Sequence, residues 1–194
     1  MLDDRYTNLD VKNYQHIRNH IQTGDLLLCS GSYPVSKIIQ KVSNSHFSHV
    51  ALLFRWVDRI MLFESVESYG VRMVPLSHYF NDYRNSGSAY VGDLYLSRHA
   101  KVQHLTSSKL NDMLRRGADL TGKMYDIEEI LKILASVVID DLKSIPNDRY
   151  ICSEFIQECF QKAGISFSDD GRGFIYPQHI ASDPNVHPLA KLVP

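Results

Sequence analysis

The feature that most constrains this chain is an amphipathic helical pattern that opens on a cysteine. In residues 149–164, RYICSEFIQECFQKAG, the apolar Ile151, Phe155, Cys159 and Phe160 mark one face. Glu154, Gln157, Glu158 and Gln161 mark the other, and Gly164 supplies a stop. A helix of this kind needs a sheet or further helices to cover its apolar face. It also puts Cys152 in its first turn, where unpaired backbone N–H groups and the positive end of the helix dipole favour an anion. The same cysteine fits a plain packing role, because free cysteine is among the most buried residue types. The rest of the chain decides between these readings by supplying, or failing to supply, a base and an acid.

A chain of 194 residues is expected to form one domain with a full core. Its 21 basic and 22 acidic side chains nearly cancel, giving a net charge of −1, so nothing recommends a nucleic acid or other polyanion as partner. Cys29, Cys152 and Cys159 are too few for a disulfide framework or a four-cysteine zinc site. The first ten residues have neither a basic start nor an apolar run, so they do not read as a secretory signal. No stretch approaches the ~18 apolar residues of a membrane span, and no transmembrane segment is expected. Free thiols agree with a reducing compartment, and the expected location is cytoplasmic.

Taken in order, the chain begins with a polar lead-in and a helical pattern over 10–22, together an N-terminal helical lead-in over 1–23. The apolar run 26–29 reads as a buried strand, and Pro34 opens a helix through about Val42. Strands are expected over 48–56, 60–65, 71–74 and 89–96, with a helix over 75–83 between the last two. A long helix is expected over 99–120. Residues 127–142 form a strongly apolar segment that reads as a core helix or as a lining for a membrane surface or substrate channel. The tail, 168–194, is rich in Gly, Pro, Asp and His and reads as loop. Short strands flanked by helices make an α+β pattern.

A nucleophilic thiol needs a base, and the base needs an orienting partner. Most of the nine histidines fall on polar surfaces. His49 differs, because it opens the apolar run Val50-Ala51-Leu52-Leu53-Phe54, where a rigid strand would fix its position. It fits either a catalytic base or a hydrogen-bonded structural histidine. Glu64 follows Met61-Leu62-Phe63, and if the two strands pair it can accept from the imidazole and hold its tautomer. Glu67 is a nearby competitor in the following turn. His46 and His49 make an H-x-x-H pair, a weak metal signal with no third ligand, and no metal or other cofactor is expected. Cys29 and Cys159 read as inert core.

Five segments in order carry a family resemblance. They are Gly24-Asp25-Leu26-Leu27-Leu28, Ser48-His49-Val50-Ala51, Phe63-Glu64-Ser65 with Gly70-Val71 and Pro75-Leu76, Gly122-Lys123-Met124-Tyr125-Asp126, and Tyr150-Ile151-Cys152-Ser153-Glu154. Together they resemble the circularly permuted branch of the NlpC-type papain-like cysteine hydrolases, with the YiiX-like proteins as the nearest group. Lecithin:retinol acyltransferase-like enzymes share this order. The resemblance implies one permuted papain-like domain over 1–194, a small antiparallel sheet packed against helices, and a helical insertion over 127–149. It implies Cys152 as nucleophile, His49 as base and Glu64 as the residue orienting it. Tyr125 matches a tyrosine that lines the active site, although Met124 stands where the family has proline. The implied activity is hydrolysis of an amide, peptidase- or amidase-like, through a thioester. A lipid-directed thiol hydrolase or acyltransferase is the alternative, and a non-catalytic binding domain the second. The implied partner is a small peptide or a lipid-like amide or ester.

Overall fold

Apolar residues that alternate across short extended runs build the centre of the molecule. A computed structural model describes residues 4–126, 128, 149–171 and 173–194. After a 3-10 turn at Asp4–Tyr6, the chain forms β1 (Val11–Asn13) and a single helical turn, α1 (Tyr14–Ile17). Next come β2 (Asp25–Gly31), α2 (Pro34–Val42), β3 (His49–Trp56), β4 (Arg59–Val66) and β5 (Gly70–Pro75). Then follow α3 (His78–Asn81), a 3-10 turn at Tyr83–Asn85, β6 (Gly92–His99), a 3-10 turn at Ala100–His104 and α4 (Ser107–Asp119). The last elements are α5 (Cys152–Lys162), α6 (Pro177–Ser182) and β7 (Val186–Val193).

The strands form one seven-stranded sheet in the order β1-β7-β6-β2-β3-β4-β5. Every pair is antiparallel except β1 with β7. Alternation sets the register. Leu26, Leu28, Val50, Leu52 and Phe63 join the layer that contains α5. Leu27, Ala51, Leu53, Leu62 and Leu96 join the layer under Tyr14, Leu76 and Tyr79. A slip of one residue would exchange the two sets, so the pairing is strongly specified. Against α4, β3 and β4, α5 buries Phe155, Ile156 and Phe160 completely. Burial of each such side chain contributes roughly 1.5–3 kcal/mol. Cys159 lies in the same layer, and Cys29 in the opposite one. The architecture is the mixed α+β arrangement that the strand cluster implied.

Four expectations are corrected. The 10–22 helix is β1 followed by one turn of helix, because Val11–Asn13 finds a pairing edge on β7. The 75–83 helix starts three residues later, Pro75 being the last residue of β5. In place of a helix over 99–120, His99 ends β6 and α4 begins at Ser107, with the Thr106 hydroxyl capping Lys109 N–H. The tail is not loop: α6 and β7 occupy it. Val186, Ala190 and Leu192 turn inward from β7, and Pro188 is tolerated beside a register shift at Leu96/Ser97. The apolar 127–142 segment and the 127–149 insertion lie outside the described residues, apart from Glu128 and Arg149, which form an ion pair at 2.8 Å. Among the described residues, no helix is long and apolar enough to cross a membrane.

Candidate active site

Cys152 is the first residue of α5, and the chain before it is fixed on three sides. Ile151 is extended (φ −76, ψ 165), and its N–H is bonded by the Glu154 carboxylate at 3.0 Å. Ser65 Oγ donates to the Tyr150 carbonyl at 2.6 Å, tying this approach to β4. Ser153 Oγ donates to the Ile175 carbonyl at 2.6 Å. Cys152 is 1% exposed and so almost wholly buried. Its backbone N–H belongs to the first turn of the helix, where no carbonyl of the helix can bond it.

His49 and Glu64 reach the same point from the sheet. The pair Leu52↔Phe63 fixes the β3–β4 register, which puts His49 and Glu64 on one face as diagonal neighbours. His49 Nε2 lies 2.9 Å from Glu64 Oε2. Cys152 is the other group that acts on the imidazole, and with Nε2 engaged by Glu64, Nδ1 is the nitrogen left free. Burial alone would push the His49 pKa down, but the Cys152 hydrogen bond and charge and the Glu64 carboxylate outweigh it and raise the value to about 9. The ring is therefore held as imidazolium at neutral pH.

Glu64 is completely buried and surrounded by donors. Oε2 accepts from His49 and from the Tyr79 hydroxyl, and Oε1 accepts from Arg72 Nε at 2.9 Å, with Nη2 in ion-pair contact at 2.8 Å. Burial raises its pKa, yet His49, Arg72 and Tyr79 together bring it below the usual carboxylate value. Arg72 and Tyr79 escaped the sequence reading. Arg72 had a signal: it interrupts the apolar alternation of β5 directly opposite Glu64. Tyr79 had none, since it comes from the short helix α3.

Tyr125 is 8% exposed and packs with Ile39, Ile151, Phe174 and Tyr176. Burial and the nearby Cys152 charge push its phenol pKa well up, so it is a neutral hydrogen-bond donor. It lines the same cleft as His49, Ser65 and Glu67. Its position depends on Gly70, which has φ +67 and runs against residue 123. Val71 N–H donates to the Lys123 carbonyl, and Gly122 N–H to the Val71 carbonyl, both at 2.8 Å. A Cβ on Gly70 would come within 2.1 Å of the Lys123 oxygen. Of the other candidates, His46 turns away to Tyr95 (3.1 Å) and Asp93 (3.6 Å), which separates the H-x-x-H pair. Cys29 lies across from His49, and burial, Glu64 and Cys152 push its thiol pKa well up.

A cysteine opening a helix that packs on a sheet, with a histidine and a buried acid paired on that sheet, is the arrangement expected of a papain-like cysteine hydrolase. The residue order, histidine and acid before cysteine, is permuted. Residues 20–186 match the family described as "Permuted papain-like amidase enzyme, YaeF/YiiX, C92 family", and the chain belongs to that family. Its fold is also that of the crystal structure described as metalloprotein yiiX from Escherichia coli O157:H7, with TM-score 0.66 and 20% identity. The match covers 89% of this chain and 98% of that one, and at this identity it establishes the shared fold. No curated protein matches the chain in sequence. The metal in that description belongs to the other protein. Among the described residues here, no cluster of three or more His, Cys, Asp or Glu side chains is placed to hold a metal ion.

Proposed function

We propose that the chain hydrolyses an amide of a small peptide-like molecule through Cys152, His49 and Glu64. The observation that carries this reading is the geometry: His49 lies 2.9 Å from the fully buried Glu64 carboxylate, and Cys152, which acts on the same ring, opens the helix packed on that sheet. The Cys152 thiolate attacks the amide carbonyl carbon, and the carbonyl π electrons move to oxygen. The Cys152 N–H at the helix start and the Tyr125 hydroxyl donate to that oxyanion. As the C–N bond breaks, His49 gives its proton to the departing amine, leaving a thioester. A water molecule then loses a proton to His49 while attacking the thioester, releasing a carboxylic acid and regenerating thiolate and imidazolium. Throughout, Glu64 fixes the ring by its bond to Nε2 and balances its charge.

The test uses Cys152→Ala and His49→Ala. Wild-type Cys152 is expected to react with iodoacetamide faster than a free thiol, and His49→Ala to remove that advantage. Incubation with a pool of peptides and acyl lipids, followed by intact mass measurement, identifies any acyl adduct on Cys152. Alkylation at the rate of a free thiol, unchanged in His49→Ala, would sink the mechanism. An adduct with a fatty acyl mass would replace the peptide substrate with a lipid.

A further inference from the structure

Next to His49 and Tyr125, one cavity is walled by residues that carry poorly bonded buried polar atoms. Tyr33, Tyr83, Arg84 and Tyr90 wall it. Tyr90 is 7% exposed, and its buried hydroxyl has only a loose contact with the Ser48 hydroxyl. The neighbouring hydroxyl of Ser48 is already engaged with Gly31 N–H (2.9 Å) and the Cys29 carbonyl (3.4 Å). Arg84 Nε is also buried and without a partner. The Arg84 guanidinium lies 5.7 Å from the Tyr33 ring centre and 5.4 Å from that of Tyr83. Its backbone is left-handed (φ 58, ψ 31), an uncommon conformation for a residue other than glycine.

Buried donors without good acceptors are unfavourable, and native proteins leave few of them. Two here share one small space, and one of the two belongs to a cation. A carboxylate offers two oxygens with about four acceptor sites, and a guanidinium matches it in shape and charge. The cavity volume is about 30 Å³. Since roughly 10–15 Å³ holds one water, it has room for about two, which suits a carboxylate and excludes a bulky headgroup. Glu67 lines the same cavity, so an anion is favoured only on the Arg84 and Tyr90 side.

We infer that this cavity is a carboxylate subsite: the enzyme acts on amides carrying a second, free carboxylate near the scissile bond, bound by Arg84 and the Tyr90 hydroxyl. The inference rests on the hydrolase reading above, and its test separates the two. Glutaryl 4-nitroanilide is compared with the neutral pentanoyl 4-nitroanilide, with succinyl and adipyl homologues to span the reach. The acidic series is expected to have the higher kcat/KM. Arg84→Gln should lower the acidic-to-neutral ratio by on the order of 10- to 100-fold. Tyr90→Phe should lower the ratio less while raising the melting temperature, since it deletes a poorly bonded hydroxyl.

Binding is read independently as protection of Cys152 from iodoacetamide by free glutarate, with inorganic phosphate as the competing anion. Protection that disappears in Arg84→Gln supports the subsite even if no anilide is cleaved, in which case the hydrolase reading fails alone. Equal kcat/KM for acidic and neutral anilides, absence of glutarate protection, or protection by phosphate only would each overturn the subsite.

Discussion

Glu64→Gln tests the site most directly, because all four contacts to the Glu64 carboxylate are donors. Oε1 receives a bond from Arg72 Nε and the ion-pair contact of Nη2, and Oε2 receives His49 and Tyr79. A glutamine has the same shape but only one oxygen, so in either orientation its NH2 faces a donor. If the NH2 meets Arg72, a nearly buried guanidinium loses its counter-charge. If it meets His49, the ring can accept only by giving up its proton. Breaking a buried pair by removing one partner costs about 3–5 kcal/mol, and that loss is expected in urea denaturation. The His49 midpoint, followed by NMR, should fall from about 9 by at least one pH unit. It should not fall the whole way to 6.5 and below, since Cys152 still supports the imidazolium. One unit corresponds to about 1.4 kcal/mol of lost support for the imidazolium, and alkylation of Cys152 should slow with it. If the variant is destabilised while the His49 midpoint and the alkylation rate hold, Glu64 serves only the fold and the reasoning is refuted.

Three further outcomes follow from the geometry. The folded-state pKa of His49, about 9 against an ordinary 6.5, stabilises the protein fully below pH 6.5, and this contribution is lost as pH rises through 9. Its upper limit is roughly 3 kcal/mol, so the free energy of urea denaturation should decline between pH 6.5 and 9.5, and a flat profile contradicts the charged imidazole. Gly70→Ala combines a left-handed backbone with a Cβ 2.1 Å from a backbone oxygen; a loss of at least about 2 kcal/mol in chemical denaturation is expected, and a neutral result excludes the close approach. Val57 has φ 56, is 89% exposed, and is the first of two residues joining β3 to β4, a position that suits glycine. Val57→Gly should therefore raise the melting temperature, by about 1 kcal/mol of stability, and a fall would show the turn to be unstrained.

The parts of the fold legible in the sequence are those whose apolar residues are dense and local. β3 and β4 stand out because both faces are buried, so each reads as a nearly continuous apolar run. α5 is legible because its two faces separate cleanly and Gly164 ends it. β7 is hidden because a register shift breaks its alternation at a sheet position flanked by the short edge strand β1, so that Val186 turns into one core layer and Ala190 and Leu192 into the other. The 99–120 region reads as one helix because strand end, 3-10 turn and helix succeed one another without a glycine or proline between them. Within the site, His49, Glu64 and Cys152 are each betrayed by a polar group bordering an apolar element. Arg72 is marked only by its break in the apolar run of β5, whereas Tyr79, Arg84 and Tyr90 depend on tertiary packing that no local pattern announces.

The two deep thiols give the molecule a built-in stopwatch. Cys29 belongs to the middle strand of the sheet and Cys159 to the helix behind it, and burial pushes both thiol pKa values well up. Neither can meet a reagent until its surroundings open, so with Cys152 already capped, pulse labelling at increasing urea times the opening of each layer separately. Coincident traces for the two sulfurs mean that sheet and helix come apart as one cooperative unit. An earlier Cys159 signal means that the helix carrying Cys152 can lift off while the sheet beneath it stays paired.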